Sequence, residues 1–455
     1  MQAWAVKFLA VALGCLAWSA SAEVYERTLS NGLRVIVKED HRAPVVVQQI
    51  WYRAGSMDER SGTTGVAHVL EHMMFKGTRT VPAGEFSRRI AAAGGRENAF
   101  TSNDYTAYFQ QLHKSKLPLA MRLEADRMHN LKLSEAEFSK EIKVVMEERR
   151  WRTDDEPHGL LAEKLMAAAY QEHPYHHPVI GWMSDLEAMT YKDAQAWYRD
   201  WYAPNNAVLV IAGDVRAKRV FALAQRYYGA IPKRMLVSRR NFVEPPQAGT
   251  KRVAVKAPAE LPQLVMAYHV PTLRDPAHDW QPYALEVLTG ILDGNESARL
   301  NKTLVREQQL ASSVGAGYDS VARGPALFTL EGTPSQGKTV QELEQALREQ
   351  LQLLVREGVT EDELKRVKAQ VEAGEVYKRD SVFYQAMQIG QMESSGLSYK
   401  DIPLMLQKLR AVTAEQVQAV ARDLLKDDNL TVAVLDPQPL GDKPKHANGG
   451  GFHAH

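Results

Sequence analysis

Residues 189–211, MTYKDAQAWYRDWYAPNNAVLVI, and residues 412–434, VTAEQVQAVARDLLKDDNLTVAV, run alongside one another without a gap. Thr190 falls on Thr413, Arg199 on Arg422 and Asn206 on Asn429, at one constant offset. Each stretch reads as an N-capped helix, a turn and a strand. That unit is common, but an unbroken register favours duplication, and the offset is about half of the 455 residues. A repeat on this scale governs the rest of the reading. Whatever one half folds into, the other must approximate, and the chain is too long for one ordinary core.

The local signals mix helix and strand. Asn31-Gly32 between apolar runs marks a hairpin. Val35–Val37, Val45–Trp51 and Ala107–Gln111 read as strands. Residues 63–76 read as a helix stopped by Gly77, and a second helix opens at Pro82 and closes at Gly94-Gly95. Leu117–Arg127 and Ser134–Trp151 read as further helices. The fold class is therefore α+β, as two homologous α+β domains with mixed or antiparallel sheets packed by helices. The expected division is 23–235 for the first domain, 236–250 for a Pro-bearing charged linker, 251–438 for the second domain and 439–455 for a disordered Gly- and His-rich tail.

Residues 1–22 stand apart. Lys7 is the single charge, an apolar run follows, and Ala20-Ser21-Ala22 precedes Glu23. This predicts a secretory signal cut after Ala22, and with no other stretch long enough to span a membrane it points to a bacterial periplasmic protein. The only cysteine, Cys15, lies inside that segment, so no disulfides are expected in the mature chain. A net charge of +1 gives no push toward nucleic acid or an anionic membrane.

The chemistry concentrates in HVLEHMMFKGT at 68–78. On a helix, His68, Glu71 and His72 share one face, about 5–6 Å apart at Cβ. Two imidazoles one turn apart can grip one zinc ion, and a glutamate between them can accept a proton from an attacking water. H-x-x-E-H is a metalloprotease signature, although five residues also recur by chance as a polar helix face. A third ligand must come from elsewhere. SEAEFSKEIKVVMEERRW offers Glu141, Glu147 and Glu148, of which Glu141 and Glu148 share a face two turns apart. Ile142, Val144, Val145 and Met146 predict that this helix is substantially buried.

At this point the chain resembles the M16 metallopeptidases, the pitrilysin and mitochondrial-processing-peptidase family of inverted zinc proteases. The resemblance spans nearly all of 23–438 and rests on H-V-L-E-H at 68–72, F-K-G-T at 75–78, E-N-A-F-T at 97–101, V-V-M-E-E at 144–148 and P-N-N-A-V-L-V-I-A-G-D at 204–214. It implies one Zn²⁺ per chain held by His68, His72 and Glu148, with Glu71 as catalytic base and Glu141 supporting a ligand histidine. It further implies that Asn98, Ala99, Phe100 and Thr101 lie on an edge strand to which an extended peptide substrate adds. Zinc would polarise the scissile carbonyl and Glu71 would pass the water's proton to the leaving amine. No G-x-S-x-G elbow supports a serine hydrolase.

The resemblance breaks in the second half, which lacks H-x-x-E-H. Where the family often carries an arginine and a tyrosine that hold substrate, LVREQQLASSV places Val305 and Ser312, with Arg306, Arg299 and Tyr318 nearby but out of register. The expected remedy is a heterodimer with a zinc-less homologue that supplies the pair, two such chains facing each other around a chamber; a homodimer stays open. The rival readings are a non-catalytic peptide-binding or scaffold subunit, which has no need of Glu71, and a metal-storage protein.

Overall fold

The computed structural model describes residues 23–440, so the expected signal segment and nearly all of the expected disordered tail lie outside the described residues. Two sheets organise the chain. The first holds β1 (Val24–Thr28), β2 (Arg34–Glu39), β3 (Val45–Tyr52), β4 (Arg96–Thr101), β5 (Thr106–His113) and β6 (Ala207–Gly213), in the order β1-β2-β6-β3-β5-β4. The second holds β7 (Lys251–Pro258), β8 (Gln263–Val270), β9 (Ala311–Gly317), β10 (Ala326–Pro334) and β11 (Leu430–Gln438), in the order β7-β11-β8-β10-β9.

Setting β2, β6, β3, β5 and β4 over β7, β11, β8, β10 and β9 reproduces every neighbour and every direction. The one parallel pair, β2 with β6, maps onto β7 with β11, and the remaining pairs are antiparallel in both. The first sheet adds only β1, joined to β2 through the Asn31-Gly32 turn with Gly32 at φ +89°. The repeat seen in the sequence recurs in its hydrogen bonds. Thr190 and Thr413 each close a capping box on the following helix. Asn206 donates to the Trp201 carbonyl at 2.9 Å and Asn429 to the Leu424 carbonyl at 3.1 Å, the same turn in each half.

Both sheets are covered on both faces, which explains their continuous apolar runs. In the first, Val35, Val37, Ile50 and Tyr52 meet the helices of their own half. Ile36, Val47, Trp51, Val208 and Val210 point the other way, as strand alternation requires, and are covered by the Val382–Ser394 helix through Ala386 and Ile389. That helix belongs to the second half. The exchange is reciprocal: the Pro157–Ala169 helix of the first half lays Leu161 and Leu165 on Val255, Val265, Ala433 and Leu435 of the second sheet. Gly390 makes the first contact possible, since a Cβ there would fall 2.0 Å from the Trp51 ring.

Candidate metal centre

The motif helix is shorter than its pattern predicts, Val66–Met73 rather than 63–76, and every residue in it is buried. Gly65 opens it at φ +88°, where a Cβ would strike the Ile180 carbonyl at 2.4 Å. Glu59 fixes its first turn: its carboxylate accepts from the Gly65 and Ala67 N–H groups, both at 2.8 Å. Such groups otherwise have no partner at a helix start. Gly77, at φ +95°, follows the last loosened turn. The second helix is Glu135–Arg149, capped by Ser134 and extended by a wider turn over Arg150–Asp154. It is buried along one face only. Phe138, Ile142 and Val145 enter the core, but Val144 is 44% exposed, which corrects the expectation that the whole apolar run is inside. Glu147 faces solvent and pairs with Arg150, so it is not part of the centre.

The two helices bring His68, Glu71, His72, Glu141 and Glu148 together. Donor atoms of His68, His72 and Glu148 all lie within 4.8 Å of one another. Glu148 Oε2 is 3.3 Å from His72 Nε2 and 3.8 Å from His68 Nε2. A tetrahedral ion about 2.0–2.2 Å from each donor separates donors by roughly 3.3–3.6 Å, so the set fits zinc with little movement. Two imidazoles and a carboxylate are also a donor set that catalytic zinc uses.

The surroundings hold these donors in place. His72 Nδ1 lies 3.4 Å from Glu141 Oε1, leaving Nε2 toward the centre, and Lys76 Nζ sits 2.6 Å from the other oxygen of Glu141. Arg152 takes Glu148 Oε1 at 2.7 Å, leaving Oε2 inward. Burial opposes a charged imidazole, but Glu141 and Glu148 outweigh it and push His72 up to about 9. Burial likewise opposes the Glu148 carboxylate, but His72, His68 and Arg152 hold it at about 2. The cluster thus sets two imidazoles among carboxylates. Glu71 differs: burial raises it above the ordinary carboxylate range, against a 2.5 Å hydrogen bond donated by Thr101 and the pull of His72.

Thr101 ends β4, one of the two edge strands of the first sheet. Of the four residues expected to meet substrate, Thr101 touches Glu71 and Ala99 packs toward the same side. Phe100 turns to the opposite face, its ring centroid 5.5 Å from that of Trp51. Asn98 shares that parity. What β4 offers a guest is its main chain and one hydroxyl. Lys76 and Arg152 were not singled out from the sequence; their signal was spacing, four residues beyond His72 and Glu148 on the same helical face. Glu59 carried no sequence signal of its role. In the second half, Arg299 is already paired with Glu363 at 2.5 Å, the Tyr318 hydroxyl donates to the Pro271 carbonyl at 2.6 Å, and Ser312 is exposed.

A duplicated α+β chain with an H-x-x-E-H helix set against a glutamate-bearing helix has the form of the inverted zinc proteases. Residues 34–181 match the family described as Insulinase (Peptidase family M16), and residues 188–371 match the Peptidase M16 inactive domain. The zinc protease PqqE of Helicobacter pylori is 30% identical over 417 residues, covering 90% of this chain and 92% of that one. An uncharacterised zinc protease of Mycobacterium tuberculosis is 32% identical over 422 residues, with 90% and 92% covered. Among solved structures, a protease from Helicobacter pylori superimposes with a TM-score of 0.86 at 29% identity, covering 91% of this chain and 100% of that one. The periplasmic protease PqqL from Escherichia coli shares the fold, with a TM-score of 0.78 at 18% identity, over 91% of this chain and 48% of its own. The chain belongs to peptidase family M16.

Proposed function

We propose that this protein is a zinc-dependent endopeptidase that cuts extended peptides or unfolded segments, with one zinc ion per chain held by His68, His72 and Glu148. The observation that carries this reading is the placement of Glu71, buried beside the three donors and hydrogen-bonded to the end of an edge strand. Zinc bound there would acidify a water and polarise the scissile carbonyl. The protein's own groups do the rest. Thr101 holds one oxygen of Glu71, so the other is left to take the proton of the attacking water and return it to the leaving amine. The raised affinity of Glu71 for a proton suits a group that must both accept and release one. Glu141, steadied by Lys76, keeps His72 in the tautomer that points Nε2 inward. An extended substrate pairs with the main chain of β4 and so lies across the base.

The working unit in this proposal is two such chains around a closed chamber, with a zinc-less homologue supplying the arginine and tyrosine; a homodimer is the other outcome. The prior engagement of Arg299 and Tyr318 supports a second chain, and so does the likeness of this fold to half of the PqqL chain. The signal-like segment 1–22 supports a periplasmic site of action. The test is cleavage of a fluorescence-quenched peptide library by the zinc-loaded chain beside Glu71→Gln. Activity confined to the wild type establishes the peptidase and removes the need for a partner. Silence with zinc bound calls for addition of the homologue, and silence without bound zinc defeats the ligand assignment.

A further inference from the structure

At the seam between the halves, lined by none of the metal-centre residues, lies a cavity of about 720 Å³. It has room for about two dozen waters at the liquid's volume per molecule. Five arginines line it from five separate places in the chain: Arg34 opening β2, Arg53 following β3, Arg239 in the connecting segment, and Arg274 and Arg323 in loops beside β8 and β10. Glu393 and Asp401 are the only carboxylates among the lining residues. Asp58 stands behind as a third, bound by Arg323 at 2.8 Å and Arg239 at 3.2 Å. Glu393 is engaged by Arg34 and lies 3.6 Å from Arg53. Glu26 pairs with Arg34 at 3.2 Å from outside the cavity, so five guanidinium groups face four carboxylates and a positive excess remains. Burial, together with neighbouring arginines, lowers the proton affinity of Arg53 and Arg239 against the pull of Glu393 and Asp58.

Ser394 and Ser395 line the same cavity at the end of the Val382–Ser394 helix, but their hydroxyl oxygens are closed off from it. The guanidinium groups are therefore the donors that the wall offers, and guanidinium forks gathered in one cavity bind oxyanions.

We propose that this cavity binds a small polyvalent oxyanion, phosphoryl or carboxylate, that bridges the two halves. The site is distinct from the metal centre and independent of the peptidase reading. The anion accepts from Arg53 and Arg239, and it neutralises a wall drawn from both halves and their connector. The test is calorimetric titration of the full chain with inorganic pyrophosphate and, separately, citrate, at physiological salt. The expected result is saturable one-to-one binding of at least one of them. Arg239→Gln weakens it about tenfold or more, while the variant still unfolds in one cooperative transition. Arg53→Gln weakens binding again. Preference for pyrophosphate identifies a phosphoryl ligand, and preference for citrate a carboxylate. Absence of saturable binding of both at millimolar concentration overturns the proposal. So does binding unchanged in both arginine variants, as would occur if the anion merely ligated a metal at the histidines.

Discussion

The two halves use the same helix crossing for different ends. In the first, Val66–Met73 crosses Glu135–Arg149, and the contact is filled by His68, His72, Glu141 and Glu148. In the second, the equivalent helices are Gln281–Asp293 and Glu361–Asp380, and the contact is filled by Gly290 against Val367, with Leu288 and Leu364 buried nearby. The apolar version needs nothing further. The polar version buries charges that are tolerable only when each has a partner. The same sheet frame therefore carries a polar crossing in one half and an apolar crossing in the other.

Four outcomes would break or sharpen that contrast. The largest concerns the proposed base. Glu71→Gln should lower peptide cleavage on the order of 10³-fold while zinc stays stoichiometric by atomic absorption; loss of zinc as well would mean the residue holds the centre rather than works in it. Next, Glu141→Gln should weaken zinc about tenfold to a hundredfold in a chelator competition, with Lys76 left unpaired in the same pocket. Third, Gly290→Ala should cost about 1–3 kcal/mol of stability, because the new Cβ would lie 2.7 Å from a stiff, buried Val367 side chain. Zinc affinity should not change, and a change would show that the halves are coupled after all. The fourth outcome concerns acid. His173, packed against Gly324 of the second half, and His177, 3.8 Å from Glu59, are both held down to about 4 by burial. A folded-state value below the ordinary histidine value means that the unfolded chain takes up protons first. The stability these two histidines contribute is complete above about pH 6.5 and is lost as pH falls toward 4. A melting series over that range checks it, and the His173→Gln variant should flatten the slope.

Much of this was legible one element at a time. The Asn31-Gly32 turn, the Thr190 and Thr413 caps and the shared face of His68, Glu71 and His72 are local, and local chemistry sets them. Glu148 falls on the centre as its spacing from Glu141 allows, two turns apart on one face. Contacts between distant segments were not legible. The continuous apolar run Val35-Ile36-Val37 says that both faces of β2 are covered, but not that one cover arrives from residues 382–394. Val144 misled for a related reason, since an apolar residue on a helix gives no sign of whether its face meets a core or an opening. The arginine-lined cavity could not be read at all, because its five side chains come from five separate places in the chain.

The exchanged helices also impose a timetable on synthesis. The first sheet has all its strands once Gly213 is made, yet the helix that shields its outer face begins only at Val382. The stretch from 214 to 381 intervenes, which takes roughly ten to thirty-five seconds at the usual pace of a ribosome. Until that helix is made, Trp51, Val47 and Val208 lack the side chains that cover them in the complete fold. A chain stalled or clipped between the halves is left as a sticky fragment rather than a smaller protein. The cell must hold the first half apart from its neighbours until the second has emerged.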